Sequence, residues 1–215
     1  MSRIRAVTFD AGGTLIEPWP SVGAIYAEVA AEFGFSCEAE RLTAGFFNAW
    51  HSRSSFAYSR AEWFEVVQHS FRESCDVSTK MFDVIYERFS ESRCWRIYDD
   101  VLPALEQLNA RNLRLAVISN WDDRLVPLLQ SLDLANHFEA IFPSALVGAH
   151  KPSPKIFYHA AACLEIAPAE ILHIGDSQNE DILGALAAGF QARRIRRSGA
   201  VEPYDIQALT SHGLE

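Results

Sequence analysis

Four short stretches of this sequence collect residue types that could hold and attack an anion. The first is Phe9-Asp10-Ala11-Gly12-Gly13-Thr14-Leu15, a carboxylate that ends an apolar run and is followed by two glycines. Small residues there let backbone N–H groups point at an incoming oxygen. The second, Val117-Ile118-Ser119-Asn120, is another apolar run that stops on small hydrogen-bonding residues. The third is Val147-Gly148-Ala149-His150-Lys151-Pro152-Ser153-Pro154, and it contains one of only three lysines in the chain. An ammonium placed just ahead of a helix N-terminus can hold a phosphate oxygen and offset a neighbouring carboxylate. The fourth, His173-Ile174-Gly175-Asp176-Ser177-Gln178-Asn179-Glu180-Asp181, packs acids where an apolar run ends. Such acids repel one another unless a proton or cation intervenes. Mg²⁺, a hard ion that wants oxygen ligands, suits them.

Each stretch also has a plainer reading. Asp10 can end a strand before an inert turn, Ser119-Asn120 can mark a turn, and Lys151 can be a solvated loop residue. Asp181 can serve a helix dipole as readily as a metal. The order and placement of all four carry more than any one of them.

The elements that would position these stretches are legible as alternation. Ile4–Phe9, Leu113–Ile118, Ala140–Phe142, Ile171–Ile174 and Ala192–Ile195 read as strands. Segments near 122–132, 154–164 and 179–188 have helical spacing, and Ser153-Pro154 supplies a cap and first turn for the middle one. Strands alternating with helices predict an α/β domain with a Rossmann-like parallel sheet covered on both faces. Each of the four stretches falls at a strand's C-terminal end or in the loop beyond it, where open α/β sheets bind ligands. Residues 17–96 differ. Val22-Ile25-Tyr26-Val29, Leu42-Phe46-Trp50, Trp63-Val67-Phe71 and Met81-Ile85-Phe89 recur at steps of three and four. They predict four or so helices and no strand, inserted as an all-helical cap domain into a core made of residues 1–16 and 97–215.

Bulk properties narrow the partners. With 215 residues, 49% of them hydrophobic, the chain can bury a core without staples. Its formal net charge of −9 argues against nucleic-acid and anionic-membrane partners. A small anionic substrate must then be drawn by local charge, which in a dry pocket outweighs surface charge that salt screens beyond about 8–10 Å. Arg193, Arg194, Arg196 and Arg197 form a basic run read as a solvated strand end and turn. The cysteines Cys37, Cys75, Cys94 and Cys163 lack metal-finger or C-x-x-C spacing, and no secretion signal or membrane span is visible. A reduced, cytoplasmic protein is expected.

Taken together, the four stretches resemble the motifs of the haloacid dehalogenase superfamily: motif I at Asp10–Leu15, motif II at Ser119, motif III at Lys151 and motif IV at Gly175–Asp181. The helical insertion is similar to that superfamily's C1-type cap. The resemblance implies that Asp10 is a nucleophile forming a covalent aspartyl intermediate. It implies Mg²⁺ held by Asp10, Asp176 and the backbone carbonyl of Gly12, with Asp181 a further metal candidate. Thr14 would brace the motif I loop, and Ser119, Asn120 and Lys151 would bind and orient the transferring group. One departure matters. Phosphatases of the superfamily carry a second Asp two residues after the nucleophile, and this chain has Gly12. General acid–base help contributes about 10²–10⁴-fold, so ordinary phosphomonoester turnover should be weakened.

A Mg²⁺-dependent phosphohydrolase is the leading expectation, acting on good leaving groups or borrowing an acid such as Glu17 or His51. A 2-haloacid dehalogenase is an alternative, since halide needs no proton, but that branch uses no metal and lacks an equivalent of Asp176. A phosphonatase would need a cap lysine, and the cap offers only Lys80. A non-catalytic phospho-ligand or partner-binding protein is the third reading. Trp50, His51, Arg53, Tyr58 and Trp63 could line a substrate pocket, although helical spacing makes most of them core or surface.

Overall fold

A computed structural model describes residues 3–53, 56, 58–197, 199 and 205–210. The chain divides into two compact units, Met1–Ile16 with Ile97–Glu215, and Glu17–Arg96.

In chain order the elements begin with β1 (Ala6–Phe9) and the short β2 (Ile16–Pro18), which leads into α1 (Val22–Glu32), α2 (Ala39–His51), α3 (Arg60–Phe71) and α4 (Thr79–Arg88). The short β3 (Trp95–Ile97) returns, followed by α5 (Val101–Ala110), β4 (Arg114–Ser119), α6 (Leu125–Ser131), β5 (Ala140–Pro143), α7 (Ser144–Val147), α8 (Pro154–Cys163), β6 (Ile171–Gly175), a π-helical turn (Gln178–Leu183), α9 (Gly184–Ala187) and β7 (Gln191–Arg194).

Five strands form one sheet in the order β5-β4-β1-β6-β7. Every neighbouring pair is parallel. All four residues of β1 are buried, as a central strand covered on both faces requires. Beside it, Ala116, Ile118, Ile156, Phe157, Ala160, Ala185 and Phe190 belong to one continuous apolar cluster. The α8 start predicted from Ser153-Pro154 is present: Pro154 opens the helix and the Ser153 hydroxyl accepts from the Lys155 N–H.

The helical unit owes its boundaries to serines. Ser21 caps α1, Ser59 makes a capping box with Glu62 at the start of α3, and Ser78 caps α4. These satisfy backbone donors that a helix start leaves without partners. Its core holds Tyr26 stacked on Phe71 at 5.5 Å, with Leu42, Met81 and Ile85 around them. Gly23 lets α1 and α2 approach closely, since a Cβ there would lie 1.9 Å from the Ala39 carbonyl oxygen.

Four expectations need correction. Residues 17–96 are not wholly helical, because β2 and β3 pair as a two-stranded ribbon whose ends lie in that segment. Strands of three residues are too short to show alternation. Helix α5 buries Val101, Ala104, Leu105 and Leu108 at helical spacing, yet the α/β reading began only at Leu113. The predicted helix 179–188 is a π turn followed by one α turn, since a single extra residue in a turn leaves the apolar pattern intact. The arginine run is not simply solvated. Arg194 and Arg196 pair with Asp205 at 2.9 and 3.0 Å, and Arg197 is mostly buried. Among the described residues, no helix is long and apolar enough to cross a membrane.

Candidate active site

Strand order decides which side chains meet. In β1, Phe9 stands level with Val117 of β4 and Ile174 of β6. The next residue on each strand path therefore reaches the same edge, and the Asp10 N–H donates to the Ile174 carbonyl at 2.9 Å. Ser119 Oγ donates to Asp10 Oδ1 at 2.9 Å.

Lys151 arrives from the loop before α8, only 1% exposed. Its Nζ lies 2.6 Å from Asp10 Oδ1 and 2.5 Å from Asp181 Oδ1. Burial alone would push the ammonium down, but the two carboxylates outweigh it and hold the group above the ordinary lysine range. Burial would likewise raise Asp181, yet Lys151 and His173 keep it below the ordinary carboxylate range. With Ser119 and Lys151 both on Oδ1, the other oxygen of Asp10 is left for attack or for a metal.

The lysine is held in turn. Its N–H donates to Asn120 Oδ1 at 2.7 Å, and Asn120 Nδ2 donates to the Lys151 carbonyl at 3.0 Å and to Glu180 Oε2 at 3.1 Å. His173 is fully buried, which lowers its pKa despite Asp181 beside it. As neutral imidazole, its Nε2–H donates to Asp181 Oδ1 (3.1 Å) while Nδ1 accepts from Thr8 Oγ1 (2.9 Å), the tautomer that satisfies both partners. Asp181 Oδ2 accepts from the Ser177 N–H at 2.9 Å.

Asp176 completes the cluster. Carboxylate oxygens of Asp10, Asp176 and Asp181 all lie within 4.8 Å of one another. The Asp176 carboxyl is pushed up to about 8, first by desolvation at the crowded strand ends and then by the negative charge of Asp10 and Asp181. Because the residue is open to solvent at the surface of the cluster, the crowding of like charges is the firmer of these causes. Asp10 is raised as well, by burial above all, with Lys151 opposing and Asp181 adding. Three carboxylates and one ammonium leave two negative charges in excess, and one divalent cation would neutralise them. The donor set, all hard oxygens, fits Mg²⁺. Gly13 is required by this packing: its φ is +76°, and a Cβ there would lie 2.7 Å from Asp176 Oδ2.

A family model, haloacid dehalogenase-like hydrolase, matches residues 4–189, through every one of these site segments. The chain belongs to the haloacid dehalogenase-like hydrolases. This hydrolase is 34% identical over 218 residues to haloacid dehalogenase-like hydrolase domain-containing protein 3 of Mus musculus, covering 94% of the chain and 85% of that relative. A glyceraldehyde 3-phosphate phosphatase of Methanopyrus kandleri is 39% identical over 101 residues, which are 46% of the chain and 43% of that protein. Among solved structures, the 2-haloacid dehalogenase of Pseudomonas syringae pv. tomato DC3000 superposes with a TM-score of 0.66 at 26% identity, over 96% of the chain and 95% of that structure.

Within the hydrolase, Asp10, Ser119, Lys151, Asp176 and Asp181 come together, and three other sequence-derived roles look different in the structure. Among the described residues the buried Thr14 hydroxyl has no hydrogen-bond partner, and the motif I turn is instead closed by the Ala11 carbonyl, which accepts from the N–H groups of Leu15 (2.8 Å) and Ile16 (3.0 Å). Asn120 spends its amide on the Lys151 backbone and Glu180, so it acts as a clip on motif III rather than as an open donor to substrate. Both Asp181 oxygens already serve Lys151, His173 and Ser177, which makes Asp181 the anchor of the lysine before it is a metal ligand. Among the described residues, the Gly12 carbonyl accepts none of the turn's backbone bonds.

Sequence reading missed His173, Thr8 and Arg197. Arg197 donates to the Thr14 carbonyl and to Asp100 Oδ1 (2.6 Å), and it lies over the Tyr98 ring at 4.1 Å, which fixes the motif I loop from behind. No signal in a run of four arginines singles out the fourth. In the helical unit, Glu17 is paired with Arg96, and His51 stacks on Phe47 at 5.9 Å. Trp50 stacks on Trp63 at 5.6 Å, Tyr58 meets both rings edge-on, and Arg53 lies 5.1 Å from the centre of Phe56. That aromatic nest consumes most of the side chains considered as pocket lining.

Proposed function

We propose that this hydrolase is a Mg²⁺-dependent phosphohydrolase acting on a small phosphorylated metabolite whose leaving group departs without strong acid assistance. The supporting observation is the charge imbalance of the cluster, in which Asp10, Asp176 and Asp181 face a single buried Lys151. Similarity to a phosphatase of Methanopyrus kandleri points the same way.

In this reading Asp10, Asp176 and the Gly12 carbonyl hold the metal. When bound, it supplies positive charge against the phosphoryl oxygens. The free carboxylate oxygen of Asp10 attacks phosphorus, forming a P–O bond as the bond to the leaving oxygen breaks with its electron pair. Lys151 and Ser119 hold the other carboxylate oxygen and keep the attacking one oriented. Water then attacks the aspartyl phosphate, releasing inorganic phosphate and restoring the carboxylate. With glycine at position 12, no side chain there protonates the departing oxygen, so acyl phosphates and phosphoanhydrides are the favoured class. The hydrolase would work in the cytoplasm, with residues 17–96 as the cap that selects substrate and without nucleic-acid or membrane partners.

The test is phosphate release from acetyl phosphate and p-nitrophenyl phosphate, with Mg²⁺ or with EDTA. Release that EDTA leaves unchanged sinks the metal-dependent reading. The missing acid and the likeness to a 2-haloacid dehalogenase favour a second reading, and chloride release from 2-chloropropionate without metal would establish it.

Metal binding should also depend on pH. A carboxyl raised to about 8 must lose its proton before it ligates. Mg²⁺ affinity is therefore expected to rise about tenfold per pH unit from 6 to 7.5 and to level off above about 8. Calorimetry in two buffers of different ionisation enthalpy reads the proton released; equal affinity at pH 6 and 8 contradicts the assignment of Asp176.

A further inference from the structure

Position 12 is glycine, yet its backbone does not require glycine. Gly13 adopts a left-handed φ, whereas Gly12 does not. What a side chain at position 12 would meet is Trp121: a Cβ built there lies 3.3 Å from Cζ3 of the indole, the only described atom within 4 Å outside its chain neighbours. To admit that Cβ the indole must give by a few tenths of an ångström, and the Trp121 backbone is held against moving with it. The Trp121 N–H donates to Ser144 Oγ (3.1 Å), and its carbonyl accepts from Ser144 Oγ (3.2 Å) and from the Ala145 N–H (3.1 Å). Immediately before it, Ser119 and Asn120 are tied to Asp10 and Lys151. The indole is thus presented to Gly12 from a backbone held by Ser144 and Ala145.

We propose that Trp121 is a specificity-determining residue, its indole edge crowding the place where a side chain at position 12 would leave the backbone. The leaving group then meets an apolar edge where a proton donor would stand, which confines turnover to substrates whose leaving oxygen departs as a stable anion. The glycine is the counterpart of the indole rather than a lost acid. This inference rests on the phosphohydrolase reading, and two measurements keep the failures apart.

The first is a thermal-unfolding cycle with EDTA present, which needs no activity. Gly12→Asn, neutral and therefore free of the added carboxylate repulsion, is expected to lower the melting temperature by at least about 2 °C in the wild-type background. In a Trp121→Ala background the same substitution should cost nothing further. Equal effects in both backgrounds overturn the proposed packing.

The second is kcat/KM with Mg²⁺ for acetyl phosphate against glycerol 2-phosphate, whose alkoxide needs a proton. Gly12→Asp alone should shift the ratio much less than the double variant does. Gly12→Asp with Trp121→Ala should move it toward the phosphomonoester by about 10²-fold, because the introduced carboxyl can hand its proton to the departing alkoxide. A single variant that gains as much as the double, or a double that gains nothing, overturns the specificity role. Absence of phosphate release from any substrate by the wild type would remove the phosphohydrolase reading and this role with it, while the unfolding cycle would still report whether indole and glycine are matched.

Discussion

Asp10→Asn is expected to reduce phosphate release by about 10⁴–10⁶-fold, the scale on which loss of a nucleophile is felt, while metal-free unfolding stays unchanged or shifts upward. The two halves of that expectation have one origin. Asparagine keeps an acceptor oxygen for Ser119 and Lys151, so the hydrogen bonds on Oδ1 persist. It removes one carboxyl from a cluster in which three face a single ammonium, and burial makes the ionised form of Asp10 costly. Phosphate release and thermal melts measure the two effects. Activity within tenfold of wild type would mean that another group attacks phosphorus. A melting temperature several degrees lower would mean that Asp10 stabilises the fold and that its role as nucleophile is not the whole reason for its presence.

Lys151→Met should do the opposite to stability. The methionine has similar reach but no charge, and Asp10 and Asp181 would then face each other without the ammonium that lies 2.6 and 2.5 Å from them. Removing one partner of a buried ion pair costs about 3–5 kcal/mol. The sign of the pH effect follows. Without the lysine, the folded-state pKa values of these carboxyls lie above their unfolded values, so folding takes up protons and stability falls as pH rises through that range. The deficit in urea midpoint against wild type, with EDTA present, should be large at pH 8 and much smaller at pH 5.5. An equal deficit at both pH values would show that Lys151 acts by packing instead. Phosphate release should fall at least about 10²-fold, and arginine should not rescue it, because a planar fork does not fit where a compact ammonium is enclosed.

Much of this site could be read from residue types because its parts sit at strand ends. A parallel sheet follows from alternation, and its C-terminal edge from the rule for open α/β sheets. The Ser119–Asp10 bond depended on one fact that alternation does not contain, that β4 lies directly beside β1. What stayed hidden is the support behind the reacting groups. Whether His173 is an inert core imidazole or the partner of Asp181 depends on the side of β6 it faces and on Thr8 across the strand pair. Asn120 reads as a substrate ligand from its place beside Ser119; its amide is spent on a segment 31 residues away, which sequence spacing does not reveal. The π turn that carries Asp181 toward Lys151 leaves no mark on an apolar pattern. Arg197 is visible only when the loop it grips is known.

The sheet order has a consequence for how the protein comes into being. The strand that ends at Asp10 precedes both of its partners in the chain, Arg114–Ser119 and Ile171–Gly175. Until those partners are translated its edges have nothing to bond, while the helices of residues 22–88, which pack on near neighbours, have all their sequence in hand. The nascent chain therefore carries an apolar strand with unpaired edges while its helical segment can already fold, a natural client for chaperones that shield strand edges. The same ordering leaves Lys151 without one of its two carboxylate partners until Asp181, 30 residues further on, has been translated.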